Sequence, residues 1–156
     1  MLQQEKEDSV RLTKEFVFDM GHALFGYDGP CKDIHGHTYH LSVTVIGAPL
    51  NQPGAPKDGM VVDFGQIKEV VHDKIISRFD HALVLNEALP DEYKQHIQQV
   101  TGKLVFLPAQ PSCENLLLHF KNELAPVFKE KGWDLFALKL YETPTSFAEW
   151  HVQDNQ

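Results

Sequence analysis

The chain has 156 residues, the length of one domain and enough to bury a sizeable core without disulfide support. Hydrophobic residues at 42% and charged residues at 23% exclude disorder and fibrous repeats. Fourteen Lys plus Arg against 22 Asp plus Glu leave a net charge of -8, which disfavours nucleic acid as a partner.

Residues 1–9 are expected to be a flexible N-terminal tail and residues 10–156 a single domain. RLTKEFVFDM, with Leu12, Lys14, Phe16 and Phe18 in an alternating pattern, predicts a strand. HALFGYDGPCKDI carries the turn residues Gly26, Gly29 and Pro30, so the chain folds back before HGHTYHLSVTVIGA forms a second, antiparallel strand. NQPGAPKDG is a turn by composition. Asp63 then caps a helix in which Ile67, Val70, Val71, Lys74 and Ile75 recur at helical spacing, ending near Phe79.

From Glu87 to Gln110 the pattern is weaker. Tyr93, Ile97 and Val100 predict a short amphipathic helix stopped by Gly102, and LVFLP reads as extended. Ser112 as cap and Glu114 in the first turn open a second main helix, with Leu116, Leu117, Phe120, Leu124 and Phe128 as its apolar stripe. Pro126 is expected to kink or shorten it. DLFALKLYE and FAEWHV predict a last antiparallel pair turning at Thr143-Pro144-Thr145-Ser146. The order strand, strand, helix, helix, strand, strand predicts an α+β domain, two helices on one face of an antiparallel sheet.

His35 and His37 stand two apart on a strand and therefore share a face, with Gly36 keeping the space between them clear. His22 lies thirteen residues upstream, and antiparallel pairing returns the end of the first strand to the start of the second. Three imidazoles with a fourth position open is the arrangement of a catalytic zinc, whereas a structural zinc is closed by four ligands. A chance pairing of histidines is the bland alternative to the His-Gly-His motif taken alone; the third histidine and nearby Cys31 favour metal. Cys31 has two competing roles: a fourth ligand that closes the site, or a thiolate that removes a proton from a bound substrate. Spacing does not choose between them, nor against an inert thiol. Cys113, at the start of a leucine-rich helix, is expected to pack.

Asp80 and His81 form a local acid and imidazole pair suited to proton relay, or equally to capping a helix end. Adjacent residues do not readily hydrogen-bond to each other. Glu142, Glu114 and Ser112 are candidates for holding a guanidine-like edge by paired hydrogen bonds, against the plainer roles of strand end and helix cap. The two cysteines are too few for a secreted disulfide framework, no stretch is long and apolar enough for a membrane span, and MLQQEKEDSV lacks the features of a signal peptide. The expected compartment is the cytoplasm.

Taken together, Cys-Lys-Asp-Ile-His-Gly-His, the upstream FVFDMGH, Asp-His within FDHALVLN, Pro-Ser-Cys-Glu-Asn and the late Tyr-Glu-Thr resemble the family of 6-pyruvoyltetrahydropterin and 6-carboxytetrahydropterin synthases, from about Phe16 to Trp150. The resemblance implies the tunnelling fold, in which ββααββ subunits join their sheets into a barrel as trimers and two trimers stack as a homohexamer. It implies His22, His35 and His37 as Zn2+ ligands, Cys31 as catalytic thiol, and Asp80 with His81 as proton-transfer partners. Glu142 is implied as the anchor of the pterin's amino-pyrimidine edge, helped by Ser112 and Glu114.

Three residues between Cys31 and the His-Gly-His motif are similar to the carboxy-forming lyases of the queuosine pathway. The implied reaction converts 7,8-dihydroneopterin triphosphate to 6-carboxy-5,6,7,8-tetrahydropterin with release of acetaldehyde and triphosphate. A pyruvoyl-forming or side-chain-cleaving activity on the same substrate is the alternative, and a non-catalytic metal-binding scaffold the reading from a different class. Ala23 stands where the family often has a basic residue, so no triphosphate contact is carried to that position. The segment from Glu87 to Gln110 is longer than in compact members.

Overall fold

Two long alternating strands organise the molecule, a computed structural model that describes residues 7–156; residues 1–6 of the expected tail lie outside the described residues. Strands β1 (Val10–His22) and β2 (His35–Gly47) pair antiparallel from Val10 opposite Gly47 to His22 opposite His35. Period-two alternation sends Phe16, Phe18, Met20, Tyr39, Leu41 and Val43 to one buried face, while Val17 on the other is 58% exposed. β5 (Asp134–Thr143) pairs antiparallel with β2 and β6 (Ser146–His151) with β5, the expected closing hairpin. A register shift at Thr44/Val45 turns Phe136 to the outer face, where the Arg11 guanidinium lies 4.1 Å from its ring centroid.

The all-antiparallel ββααββ expectation is corrected by two further strands. β3 (Leu83–Asn86) joins β1 in parallel and β4 (Leu104–Leu107) joins β3 in parallel, giving a mixed six-stranded sheet in the order β4-β3-β1-β2-β5-β6. Leu83 to Leu85 form an unbroken apolar run without period-two alternation, so no strand signal separates them from the preceding helix.

Helix α1 (Phe64–Val71) starts where Asp63 Oδ1 accepts from the Gly65 amide at 2.8 Å. It continues through a π-helical turn (His72–Ile76) into the last turn α2 (Ser77–Phe79), ending at the expected residue. Between β3 and β4 lies α3 (Asp91–Gln98), the short helix expected through Tyr93 and Ile97, so the fold-class count of two helices on the sheet is corrected to include it. α4 (Cys113–Glu130) is capped by Ser112, as expected, but runs unbroken through Pro126. Phe128, fully buried and packed on Trp133, lies beyond the proline; unwinding the last turn would expose it at a cost of about 2–3 kcal/mol, comparable to the penalty of about 3 kcal/mol for an interior proline. Leu116, Phe120 and Leu124 of α4 and Ile67, Val71 and Phe79 of the first helical rod complete the core over the inner sheet face. Leu85 and Leu89 form a satellite core with Ile97, Leu104 and Phe106.

Candidate metal and substrate site

The inner-face row that supplies Tyr39 and Leu41 to the core supplies His37 and His35 one and two steps further along β2. Register places His35 directly opposite His22 at the end of β1. Ligand nitrogens of His22, His35 and His37 all lie within 4.8 Å of one another, so the expected triad is assembled. Gly36 permits the close approach of the strands: a Cβ there would sit 3.3 Å from the Met20 carbonyl oxygen.

Main-chain acceptors set the ring orientations. His22 Nδ1 donates to the Pro111 carbonyl and His35 Nδ1 to the Asp33 carbonyl, each at 2.7 Å. Both Nε2 atoms then present lone pairs, and they face each other at 3.0 Å. Two neutral acceptors so placed repel until a cation or an extra proton sits between them. His37 Nε2 is buried without a hydrogen-bond partner, 3.7 Å from Glu142 Oε1. Burial is the main cause that holds the pKa of His22 and of His37 below the ordinary 6.5, with the Pro111 bond at His22 and Glu142 at His37 opposing it. Neutral imidazoles are the form a metal needs, and the donor set fits a divalent ion of borderline softness. Tyr39 closes the floor, its hydroxyl 3.5 Å from His22 Nδ1 and its phenol pKa pushed well above normal, chiefly by burial.

A cavity of about 250 Å³ opens beside the triad, lined by His22, Cys31, Ser112, Cys113, Glu114 and Glu142. It brings the Cys31 thiol, the His22 ring and all three candidate substrate-binding residues to one wall. Cys31 is held by a 3-10 turn (Pro30–Lys32) whose Cys31 carbonyl accepts from the Leu24 amide at 2.8 Å. Its sulfur is not among the atoms that converge on the metal position, which leaves the site open. Ser112 Oγ accepts from the Asn115 amide, so its own proton remains available to the cavity.

Cys113 and the Asp80–His81 pair differ from expectation. Cys113 packs on the core but also lines the cavity, its Sγ donating to the Leu140 carbonyl at 3.3 Å and its pKa pushed up to about 11, mainly by burial. Asp80 and His81 come into close contact, Nδ1 to Oδ1 at 3.0 Å, where His81 adopts a left-handed φ of 61°. His81 and Cys31 line different cavities of the chain. His81 lines a second cleft of about 570 Å³, whose other lining residues include Asp19, Thr38 and the candidate ligands His35 and His37. Sequence reasoning missed Tyr39, which period two from His35 and His37 would have found, and Phe147, whose role depends on how the β5–β6 hairpin curls over the cavity.

The fold and site together define a mixed α+β protein with three convergent histidines that could hold a metal ion, beside a cavity that contains a thiol. The sequence model of the 6-pyruvoyl tetrahydropterin synthase family matches residues 11–152. The chain is 37% identical to the 6-carboxy-5,6,7,8-tetrahydropterin synthase of Rickettsia felis, covering 90% of this chain and 99% of that one. It is 34% identical to the enzyme of the same name from Haemophilus influenzae, covering 90% and 97%. The structure of Caenorhabditis elegans 6-pyruvoyl tetrahydropterin synthase superposes with a TM-score of 0.69 at 19% identity, covering 95% of this chain and 99% of that one. The chain belongs to the 6-pyruvoyl tetrahydropterin synthase family of enzymes. Among the described residues, no helix is long and apolar enough to cross a membrane.

Proposed function

We propose that the chain is a zinc-dependent 6-carboxy-5,6,7,8-tetrahydropterin synthase acting in the cytoplasm on the route to queuosine. It converts 7,8-dihydroneopterin triphosphate and one water to 6-carboxy-5,6,7,8-tetrahydropterin, acetaldehyde and triphosphate. The observation that carries the reading is the convergence of His22, His35 and His37, the first of which shares a cavity wall with Cys31 and Glu142, in a chain whose relatives at 34–37% identity bear that name.

Glu142, with the Ser112 hydroxyl and Glu114, binds the amino-pyrimidine edge through paired hydrogen bonds and orients the side chain toward the histidines. Zn2+ held by His22, His35 and His37 supplies Lewis-acid polarisation of the substrate's side-chain oxygens. Cys31 removes a proton from the side-chain carbon presented to its sulfur. Asp80 orients His81, which returns a proton to the departing side. Because His81 and Cys31 line different cavities of one chain, His81 serves the Cys31 site of a neighbouring subunit in a barrel of trimers stacked as a hexamer. The scaffold reading requires Cys31 as a fourth ligand, and the position of its sulfur outside the converging set counts against it.

The test is mass spectrometry of products after incubation of the zinc-loaded protein with 7,8-dihydroneopterin triphosphate and no reductant. The carboxy product with acetaldehyde is expected. The pyruvoyl product would refute the proposed outcome while keeping the site, and unchanged substrate would favour the scaffold.

A further inference from the structure

We infer that Lys103 is a positioning residue for the Asp80–His81 pair, delivered to it by the segment between β3 and β4; this rests on the proposed proton-transfer role of His81. The helix ends at Phe79, whose carbonyl still accepts from the Ala82 amide at 3.0 Å. The Asp80 carbonyl lies past the helix, and the left-handed turn at His81 carries the chain away from any helical donor. The Lys103 ammonium donates to that carbonyl, a cation placed where the negative end of a helix favours one.

A non-glycine residue at φ 61° persists only where its surroundings over-determine it. Here β1 grips the turn from one side. The Asp19 amide donates to Asp80 Oδ1 at 3.1 Å, the His81 amide to the Asp19 carbonyl at 2.6 Å, and the Gly21 amide to the Ala82 carbonyl at 2.9 Å. Lys103 grips it from the other side twice, through its ammonium and through its own carbonyl, which accepts from the Leu83 amide at 2.9 Å. The His81 side chain is 75% exposed, so packing does not set its ring direction. The backbone turn does, and the Nδ1 to Oδ1 contact with Asp80 follows from it.

The extra segment from Glu87 to Gln110 acquires a purpose on this view. Its helix α3 buries no residue in the main core; the segment is anchored by the satellite cluster around Leu85 and Leu89 and by β3–β4 pairing from Leu83↔Leu104 to Asn86↔Leu107. That anchorage fixes Lys103 one residue before β4, and Thr101 beside it lines the same cleft as His81.

The test compares Lys103→Met, Lys103→Arg, His81→Ala and the double variant Lys103→Met/His81→Ala, measuring kcat, KM, zinc content and Tm of the intact protein. Lys103→Met should lower kcat by about ten- to a hundredfold with KM, zinc content and Tm near wild type, as expected for a misplaced reacting group, and Lys103→Arg should restore most of the rate. In the His81→Ala background the Lys103→Met change should cause no further loss, because a residue that acts through His81 has nothing left to position. An inactive His81→Ala with fully active Lys103→Met, or losses that multiply in the double variant, would overturn the positioning role alone. A fully active His81→Ala would overturn the proton-transfer reading and this inference with it.

Discussion

Replacing His35 with Ala tests the metal centre most cleanly. His22 is 1% exposed and its loss would leave a hole and an unpaired Pro111 carbonyl, whereas His35 is only part-buried and its Nδ1 contact to Asp33 lies at the surface. The cost to the metal-free fold should therefore be about 1 kcal/mol. The cost to the metal is larger. If a four-ligand zinc site is worth about 10–16 kcal/mol, each ligand carries about 3 kcal/mol, so removing one of three raises Kd by about a hundredfold. At free zinc a thousandfold above the wild-type Kd, binding stabilises the fold by about 4 kcal/mol, which a domain of this size shows as a Tm rise of about 8–16 °C. The same zinc is then only about tenfold above the variant's Kd, leaving about 1.4 kcal/mol and a rise of about 3–6 °C. Chelator-competition titration and thermal unfolding with and without zinc read both quantities. A His35→Ala variant with wild-type zinc affinity and an undiminished Tm rise would remove His35 from the ligand set.

Cys31→Ala should keep full zinc stoichiometry while product formation falls by at least about a hundredfold, since a general base contributes about 10²–10⁴ in rate; lost zinc would instead make Cys31 a ligand. Glu142→Ala should raise KM by about ten- to a hundredfold with zinc retained, and an unchanged KM would end the anchoring role. For the pH dependence, the unfolded chain binds protons at His22 and His37 more tightly than the fold does, because burial depresses both folded pKa values below 6.5. The contribution is complete above 6.5 and is lost as pH falls through the depressed values, so urea titration of the metal-free protein should show stability declining with acid below 6.5; a flat profile would contradict the burial argument. Mixing inactive Cys31→Ala and His81→Ala subunits after dissociation should regain activity if each site draws on two chains, and persistent inactivity with confirmed mixed oligomers would place both residues in one chain's site.

The convergence of His22, His35 and His37 was legible because it depends on two periodic rules, alternation along β2 and the antiparallel register that sets His22 against His35. Helix limits at Asp63, Phe79 and Ser112 were legible for the same kind of local reason, a cap or a break in the apolar period. β3 was not, since an apolar run of three residues reads the same on a strand as on the tail of a helix. Pro126 misled because the local penalty is visible in sequence, while the burial of Phe128 that offsets it is a tertiary fact.

The Asp80–His81 contact shows where sequence reading stops in a more specific way. Neighbouring side chains meet only if the backbone between them leaves the ordinary regions, and nothing in Phe-Asp-His-Ala announces a φ of 61° at a histidine. That conformation is imposed by contacts from Asp19, 61 residues before Asp80 on β1, and from Lys103, 23 residues after it. Residues whose chemistry follows from their own strand are therefore found from the sequence, and residues whose chemistry follows from an imposed turn are found only once the turn is seen. On this argument the strain at His81 is set by contacts made to the backbone on either side of it, so substitutions at Asp19 that preserve its amide and carbonyl should leave the turn intact, whereas proline at Asp19, which removes the donor to Asp80, should release it.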